Sequence, residues 1–111
     1  MIEDFDLNAD QQSYVYSCLG FCYLEKYRQS HDLSDYQKCE RALLRISEFN
    51  PTACCGLVFL IAEELMFYKH YDPAFLVKVD SYIKQAERID PYAKDLVRAR
   101  EVYQELLQKS A

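Results

Sequence analysis

Two glycines and three prolines in 111 residues leave little punctuation for a chain that must turn often. Folds made of many short strands need turn residues every few positions, so this scarcity excludes them and favours a few long helices with short connections. Clustered positive charge is missing as well. Thirteen Lys and Arg stand against 18 Asp and Glu, a net charge of −5, and no basic stripe interrupts that balance. Such a surface repels a phosphate backbone, so no nucleic acid is expected as a partner. The only glycines are Gly20 and Gly56, which excludes a Gly-rich phosphate loop. The first residues, Met1-Ile2-Glu3-Asp4-Phe5-Asp6, are acidic where a secretory signal is basic. The longest apolar run, Ala53 to Ala62, stops at Glu63-Glu64 and falls short of the roughly 20 residues of a membrane span. The expectation is a cytoplasmic protein with no membrane span.

What is present is an ordinary globular mixture, 50% apolar and 28% charged, with ten Tyr and six Phe but no Trp. Enough apolar surface is available to form a core, which excludes disorder. Five cysteines, at positions 18, 22, 39, 54 and 55, are odd in number, and two are adjacent. Most fall within apolar helical patterns, which reads as buried free thiols in a reducing compartment rather than as a disulfide framework.

Five helices follow from the apolar periodicity. The first spans about Ala9 to Tyr27, capped by Asn8 with Gln11 in the reciprocal position, and its stripe is Tyr16, Leu19, Cys22, Tyr23 and Tyr27. Arg28 to Leu33 reads as a loop. Ser34-Asp35-Tyr36-Gln37 is a capping-box pattern that opens a second helix to about Phe49, with Tyr36, Cys39, Leu43, Ile46 and Phe49 inward. Asn50-Pro51 ends it. The third, about Ala53 to Tyr68, is apolar nearly all round until Glu63 and so is predicted to be the most buried. Asp72-Pro73 and Asp90-Pro91 each supply a cap followed by proline at the first helical position. They open a fourth helix to about Ile89 and a last one to about Gln108. The fourth turns Phe75, Val79, Ile83, Ala86 and Ile89 inward. The last presents Tyr92, Leu96, Ala99, Tyr103 and Leu106 on one face and Lys94, Asp95, Arg98, Glu101, Glu105 and Gln108 on the other. That one-sided polarity suits the terminal helix of a solenoid. No segment alternates with period two, so the fold class is all-α.

Two stretches close alike, Ala42 through Asn50-Pro51 and Tyr82 through Asp90-Pro91, with the prolines 40 residues apart. Each unit then holds one helical hairpin. Leu19-Gly20-x-x-Tyr23 resembles the Leu-Gly-x-x-Tyr signature in the first helix of a tetratricopeptide (TPR) repeat, and Asp35 through Phe49-Asn50-Pro51 is similar to its second helix and closing proline. In the second unit Ile61, Ala62 and Leu65, then Val79, Ile83, Ala86 and Pro91, fall on the corresponding positions. The match departs from the family in its longer hairpin turns and in Ile46, bulky where the family usually keeps Ala. Gly20 in mid-helix costs about 1 kcal/mol against Ala, which is tolerable where another helix crosses closely. The resemblance implies a short α-solenoid: two TPR-like antiparallel helical hairpins (repeat one about 9–51, repeat two about 53–91) and a capping helix (about 91–108), in one domain.

In that family the first helix of each hairpin lines a concave groove that holds a peptide or helix. Carried over, those positions are Tyr14, Ser17, Phe21, Leu24 and Glu25 in the first unit and Phe59, Glu63, Met66 and Phe67 in the second. A carboxylate-clamp groove needs Lys and Asn here, whereas Ser17 and Phe21 occupy two of those places, so an apolar amphipathic helix is the better expected ligand. The resemblance thus implies a non-catalytic adaptor or small chaperone. Its size and acidity are similar to those of the tetratricopeptide-like chaperones of bacterial secretion systems. The alternative is a structural subunit, either part of a longer repeat array or self-associating as a homodimer.

Metal and catalysis are weaker readings. Cys18 and Cys22 stand four apart rather than in the C-x2-C spacing of zinc sites, and His31 and His70 fall in predicted loops, so no metal and no cofactor are expected. Glu63 and Glu64 are adjacent on a helix and point about 100° apart, so they cannot flank one bond. No Cys is paired with a His and an orienting group, and no enzyme is expected.

Overall fold

The computed structural model describes residues 7–111, and the acidic start at residues 1–6 lies outside them. Five helices follow in order, α1 (Ala9–Ser30), α2 (Leu33–Leu44), α3 (Pro51–Tyr68), α4 (Pro73–Ile89) and α5 (Leu96–Ser110), with no strand among the described residues. The fold class is all-α. Asn8 caps α1 as its sequence implies: its side chain accepts from the Gln11 N–H at 2.9 Å while the Asn8 N–H donates to Gln11 Oε1 at 3.0 Å.

The helix boundaries differ from expectation in five places, each for a local reason. α1 runs on through Arg28, because polar residues on its outer face are solvated without ending the helix. It stops at His31, which takes the left-handed conformation and donates its N–H to the Tyr27 carbonyl. The cap of α2 is Asp32 rather than Ser34. Its carboxylate accepts from the Ser34 N–H, its own N–H donates to Ser30 Oγ, and that hydroxyl donates to Asp35 at 2.7 Å. α2 ends at Leu44 and residues 45–49 continue as tight turns, which bury Ile46 but leave Phe49 42% exposed. Asn50 does not merely end one helix but caps the next, accepting from the Ala53 N–H at 3.1 Å with Pro51 in the first turn.

The fifth difference is the start of α5. Asp90 binds the Tyr92 N–H at 3.0 Å, as Asp72 binds the Ala74 N–H, but the chain then makes successive turns until Leu96. Residues 92–95 offer only Ala93 to bury, so helix formation waits for Leu96, Ala99, Val102 and Leu106, which reach the core. Tyr92 is 91% exposed and does not belong to the inward stripe.

α3 is the centre of the molecule and packs against each of the other four helices. One apolar cluster joins Tyr16, Leu24, Tyr27, Tyr36, Cys39, Leu43 and Ile46 to Ala53, Leu57 and Leu60 of α3. A second joins Cys54, Cys55, Val58, Ile61 and Leu65 of the same helix to side chains of α4 and α5. Serving two cores explains why α3 is apolar nearly all round. By length and composition its 18 residues would also suffice to cross a membrane, an extent the run Ala53 to Ala62 understates, yet 56% of them are buried inside this fold. The Ser47 carbonyl ties the two halves together, accepting from Cys54 Sγ at 3.1 Å and from Gln85 Nε2 at 2.7 Å.

α1 and α3 run in the same direction. Ser13 and Cys18 share a recess with Asn50 and Thr52, Phe21 meets Gly56, and His31 reaches Glu63 and Phe67. Where α1 crosses α2, a Cβ on Gly20 would lie 2.3 Å from Leu43 Cδ2, so the close crossing expected from this glycine is present.

Candidate protein-binding face

α1, α3 and α5 lie side by side with α3 in the middle, and their adjoining surfaces form one face. At one end Ser13, Tyr14, Ser17 and Cys18 of α1 meet Asn50 and Thr52 around a recess of about 270 Å³. Phe21, half-buried, lies over Gly56, where its ring occupies the space a side chain would take. Beyond it Arg28, the α3 residues Phe59, Ala62, Glu63 and Met66, and the α5 residues Arg98, Val102 and Glu105 enclose a second recess of about 190 Å³. Both volumes are below the ~300–1,000 Å³ usual for small-molecule sites and suit single anchoring side chains better than a cofactor.

The second recess has an apolar floor of Phe59, Ala62, Met66 and Val102 and a rim that carries both signs of charge. Arg28 pairs with Glu25 three residues before it. Arg98 lies 3.4 Å from Glu101 and 3.6 Å from Glu105. His31 Nε2 lies 3.1 Å from Glu63 Oε1, and the His31 ring stacks on Phe67 at 3.6 Å between centroids. The Arg28 and Arg98 pairs are solvent-exposed and add little stability, whereas the His31–Glu63 contact is part-buried; together they orient the rim.

Eight of the nine groove residues expected from sequence lie at the surface or partly so. Tyr14 and Ser17 line the first recess, Phe59, Glu63 and Met66 line the second, and Phe21 separates the two. Glu25 stands on the rim through Arg28, and Phe67, 53% exposed, ends the face against His31. Leu24 is the correction. At 1% exposure it belongs to the first core cluster, because three residues beyond Phe21 the helix has turned it inward.

Sequence reasoning missed Arg28, Arg98, Val102 and Glu105, having treated Arg98 and Glu105 as a solvated face. A signal was available. Phe21, Glu25 and Arg28 on α1, Phe59, Glu63 and Met66 on α3, and Arg98, Val102 and Glu105 on α5 share the spacing i, i+4, i+7. That spacing keeps each trio on one face of its helix.

Titrating groups inside the fold are shifted by burial and none of them lines the recesses. Desolvation raises the Tyr27 and Tyr36 hydroxyls and the Glu64 carboxyl above their ordinary ranges. The Tyr27 hydroxyl approaches Glu64 without completing a hydrogen bond. A carboxyl raised in the fold gains protons on folding. The stability this contributes is full below the ordinary carboxylate range and is lost as pH rises through the raised value. Glu64→Gln is therefore expected to raise the melting temperature slightly at neutral pH, with the gain vanishing near pH 4. An equal gain at both pH values would contradict the desolvation argument.

The cysteines divide into two groups. Cys39, Cys54 and Cys55 are buried, and burial pushes their thiols up to about 12, 11 and 12, so they stay protonated at neutral pH. Cys18 and Cys22 are exposed, contrary to the expectation of buried thiols. An aromatic disulfide reagent is expected to modify two thiols quickly in the native chain and three only on unfolding. Five equal rates would show that the core opens freely. No group of three or more metal-binding side chains occurs among the described residues. The chain matches no known protein family, no curated protein and no solved structure.

Proposed function

We propose that the chain is a non-catalytic protein-binding module, a cytoplasmic adaptor or small chaperone whose α1–α3–α5 face holds an amphipathic helix or peptide of another protein. In this reading α1–α2 and α3–α4 are two TPR-like helical hairpins and α5 caps the second. The observation that carries it is the trio of side chains at i, i+4 and i+7 on α1, α3 and α5, two of which jointly line the apolar-floored recess with Arg28 of the first. The order of packing supports it too: α1 on α2 and α3, α3 on α4 and α5, and α1 parallel to α3. So do the two core clusters that share α3.

Helix-in-groove binding uses anchors at this spacing, and each buried Leu or Phe of a partner contributes about 1.5–3 kcal/mol. The rim, with Arg28 and Arg98 against Glu63 and Glu105, would set the register of the ligand's charged side. The test is affinity capture of the tagged chain from its own cells, with partners identified by mass spectrometry and then rebound in purified form. A stoichiometric protein whose binding maps to an amphipathic helix is the expected outcome. Recovery of the chain alone would overturn the reading.

A further inference from the structure

Lys26, Lys38, Arg41 and Arg45 form no basic run in the sequence, but the fold gathers them. α1 and α2 pack antiparallel, so that residues seven apart on one helix meet residues seven apart on the other. Lys38 Nζ lies 5.7 Å from the centre of the Tyr23 ring, and Arg45 Cζ lies 4.9 Å from that of Tyr16. Lys26, one turn beyond Tyr23 on α1, also stands over the Tyr23 ring, at 5.5 Å. Arg41 is exposed on the turn of α2 between Lys38 and Arg45. The seam between the two helices thus carries four cations in a chain whose net charge is −5.

Carboxylates are kept away from this seam. From Gln11 to Leu24 α1 has no charged residue, and Glu25 pairs with Arg28 on the groove side. Glu40 is the one acid of the chain between Asp35 and Glu48. Burial, and after it the charge of Glu40, raises the Tyr82 hydroxyl on α4, so Glu40 faces away from the seam. Asp35 is held by the Ser30 hydroxyl, beyond the Lys38 end. Among the described residues no carboxylate forms an ion pair with Lys26, Lys38 or Arg41. The face of Tyr23 attracts both of its ammonium groups and so holds two like charges near each other. An anion set between them relieves their repulsion.

We propose that this seam docks an acidic segment of a second protein, with its Asp and Glu side chains set along Lys38, Arg41 and Arg45. Charge complementarity selects the occupant. From Lys38 to Arg45 the cations extend about 10 Å along α2, too far for one phosphate or carboxylate and suited to several acidic groups carried on one chain. Leu19, 37% exposed between Tyr16 and Tyr23, offers an apolar contact that a peptide uses and a free anion does not. A nucleic-acid strand would need open ring faces on which to stack its bases. Here cations stand over both rings, and Tyr16 is only 8% exposed. The seam lies on the α2 side of α1, away from Phe21, Glu25 and Arg28, so it is a second surface independent of the proposed groove.

The probe is a synthetic peptide of alternating Glu and Ser, with one of alternating Gln and Ser as its uncharged counterpart. Each is titrated into the chain and followed by amide chemical shifts. The Glu peptide is expected to shift Leu19, Tyr23, Lys26, Lys38 and Arg41 in a saturable way, and the Gln peptide to shift none of them. Salt near 1 M, where the Debye length is about 3 Å, should abolish the effect. Lys38→Glu should weaken binding by about tenfold or more, because it sets like charge against the ligand. Lys78→Glu makes the same charge change at a lysine over Phe75 on α4 and should leave binding within about twofold of wild type. Equal weakening by the two variants, or equal shifts from the two peptides, would overturn the proposal. So would a single-stranded DNA oligonucleotide that shifts these amides at lower concentration than the Glu peptide, which would make the seam a nucleic-acid site. Binding that emerges only in a Glu3→Gln, Asp4→Asn, Asp6→Asn chain would overturn it too, since the occupant would then be the chain's own acidic residues.

Discussion

Gly20→Leu is expected to cost more than about 3 kcal/mol, a large share of the ~5–15 kcal/mol that holds a domain of this size together. The reason is geometric. Even the first atom of a side chain at Gly20 would sit 2.3 Å from Leu43 Cδ2 and 2.6 Å from its Cγ. Leu43 has nowhere to go, since it is fully buried and its other methyl lies 2.9 Å from where a Cβ on Gly56 would be. One leucine of α2 is thus held between glycines of α1 and α3, and the three helices approach one another through it. Gly20→Ala gains about 1 kcal/mol of helix propensity but incurs overpacking of about 1–3 kcal/mol, so a net loss is expected. Leu43→Ala alone should cost about 2–5 kcal/mol through the cavity it leaves. The double substitution Gly20→Ala with Leu43→Ala should cost less than the sum of the two, with a coupling of at least about 0.5 kcal/mol, because the alanine methyl enters that cavity. Urea unfolding followed by helicity measures all four proteins. A Gly20→Ala chain more stable than wild type, with no coupling to Leu43, would remove the close-crossing account.

Met66→Glu is expected to lower affinity for the partner by about 30- to 1,000-fold, the loss of one anchoring contact of about 2–4 kcal/mol. Met66 is half-buried in the floor of the second recess, with Glu63 and Glu105 on its rim. A third carboxylate there withdraws apolar surface and adds like charge where a ligand's apolar side chains must enter. Folding should change little, because the new carboxylate can reach solvent through the open recess. Val77→Glu is the control, since Val77 is 68% exposed on α4 and lines neither recess. It should leave both binding and melting as they are. Equal loss of binding in the two variants would show that the partner does not use this face.

Much of the helical layout is legible in the sequence because caps and periodicity are local. Asn8 with Gln11, Asp72-Pro73 and the all-round apolarity of α3 are decided within one or two turns of chain. Gly20 is legible for a related reason, since a glycine in mid-helix needs a compensating contact. The failures are those of tertiary choice. Asp90-Pro91 has the same start signal as Asp72-Pro73, yet only the latter leads straight into a helix, because the residues after Pro91 have no core to reach before Leu96. Leu24 and Phe21 look alike as apolar residues on one helix, and only the crossing of α2 shows which one is turned inward. Arg98 and Glu105 read as plain surface until α5 is set beside α3. The exposure of Cys18 and Cys22 depends equally on which side of α1 the other helices take.

The most direct test of the central claim is amide hydrogen exchange, or chemical-shift mapping, of the chain with and without its captured partner helix. Protection or shifts concentrated on the recess-lining residues, from Arg28 through Phe59, Glu63 and Met66 to Arg98, Val102 and Glu105, is the result the account requires. Changes confined to the outer surfaces of α2 and α4, with this face untouched, would contradict it.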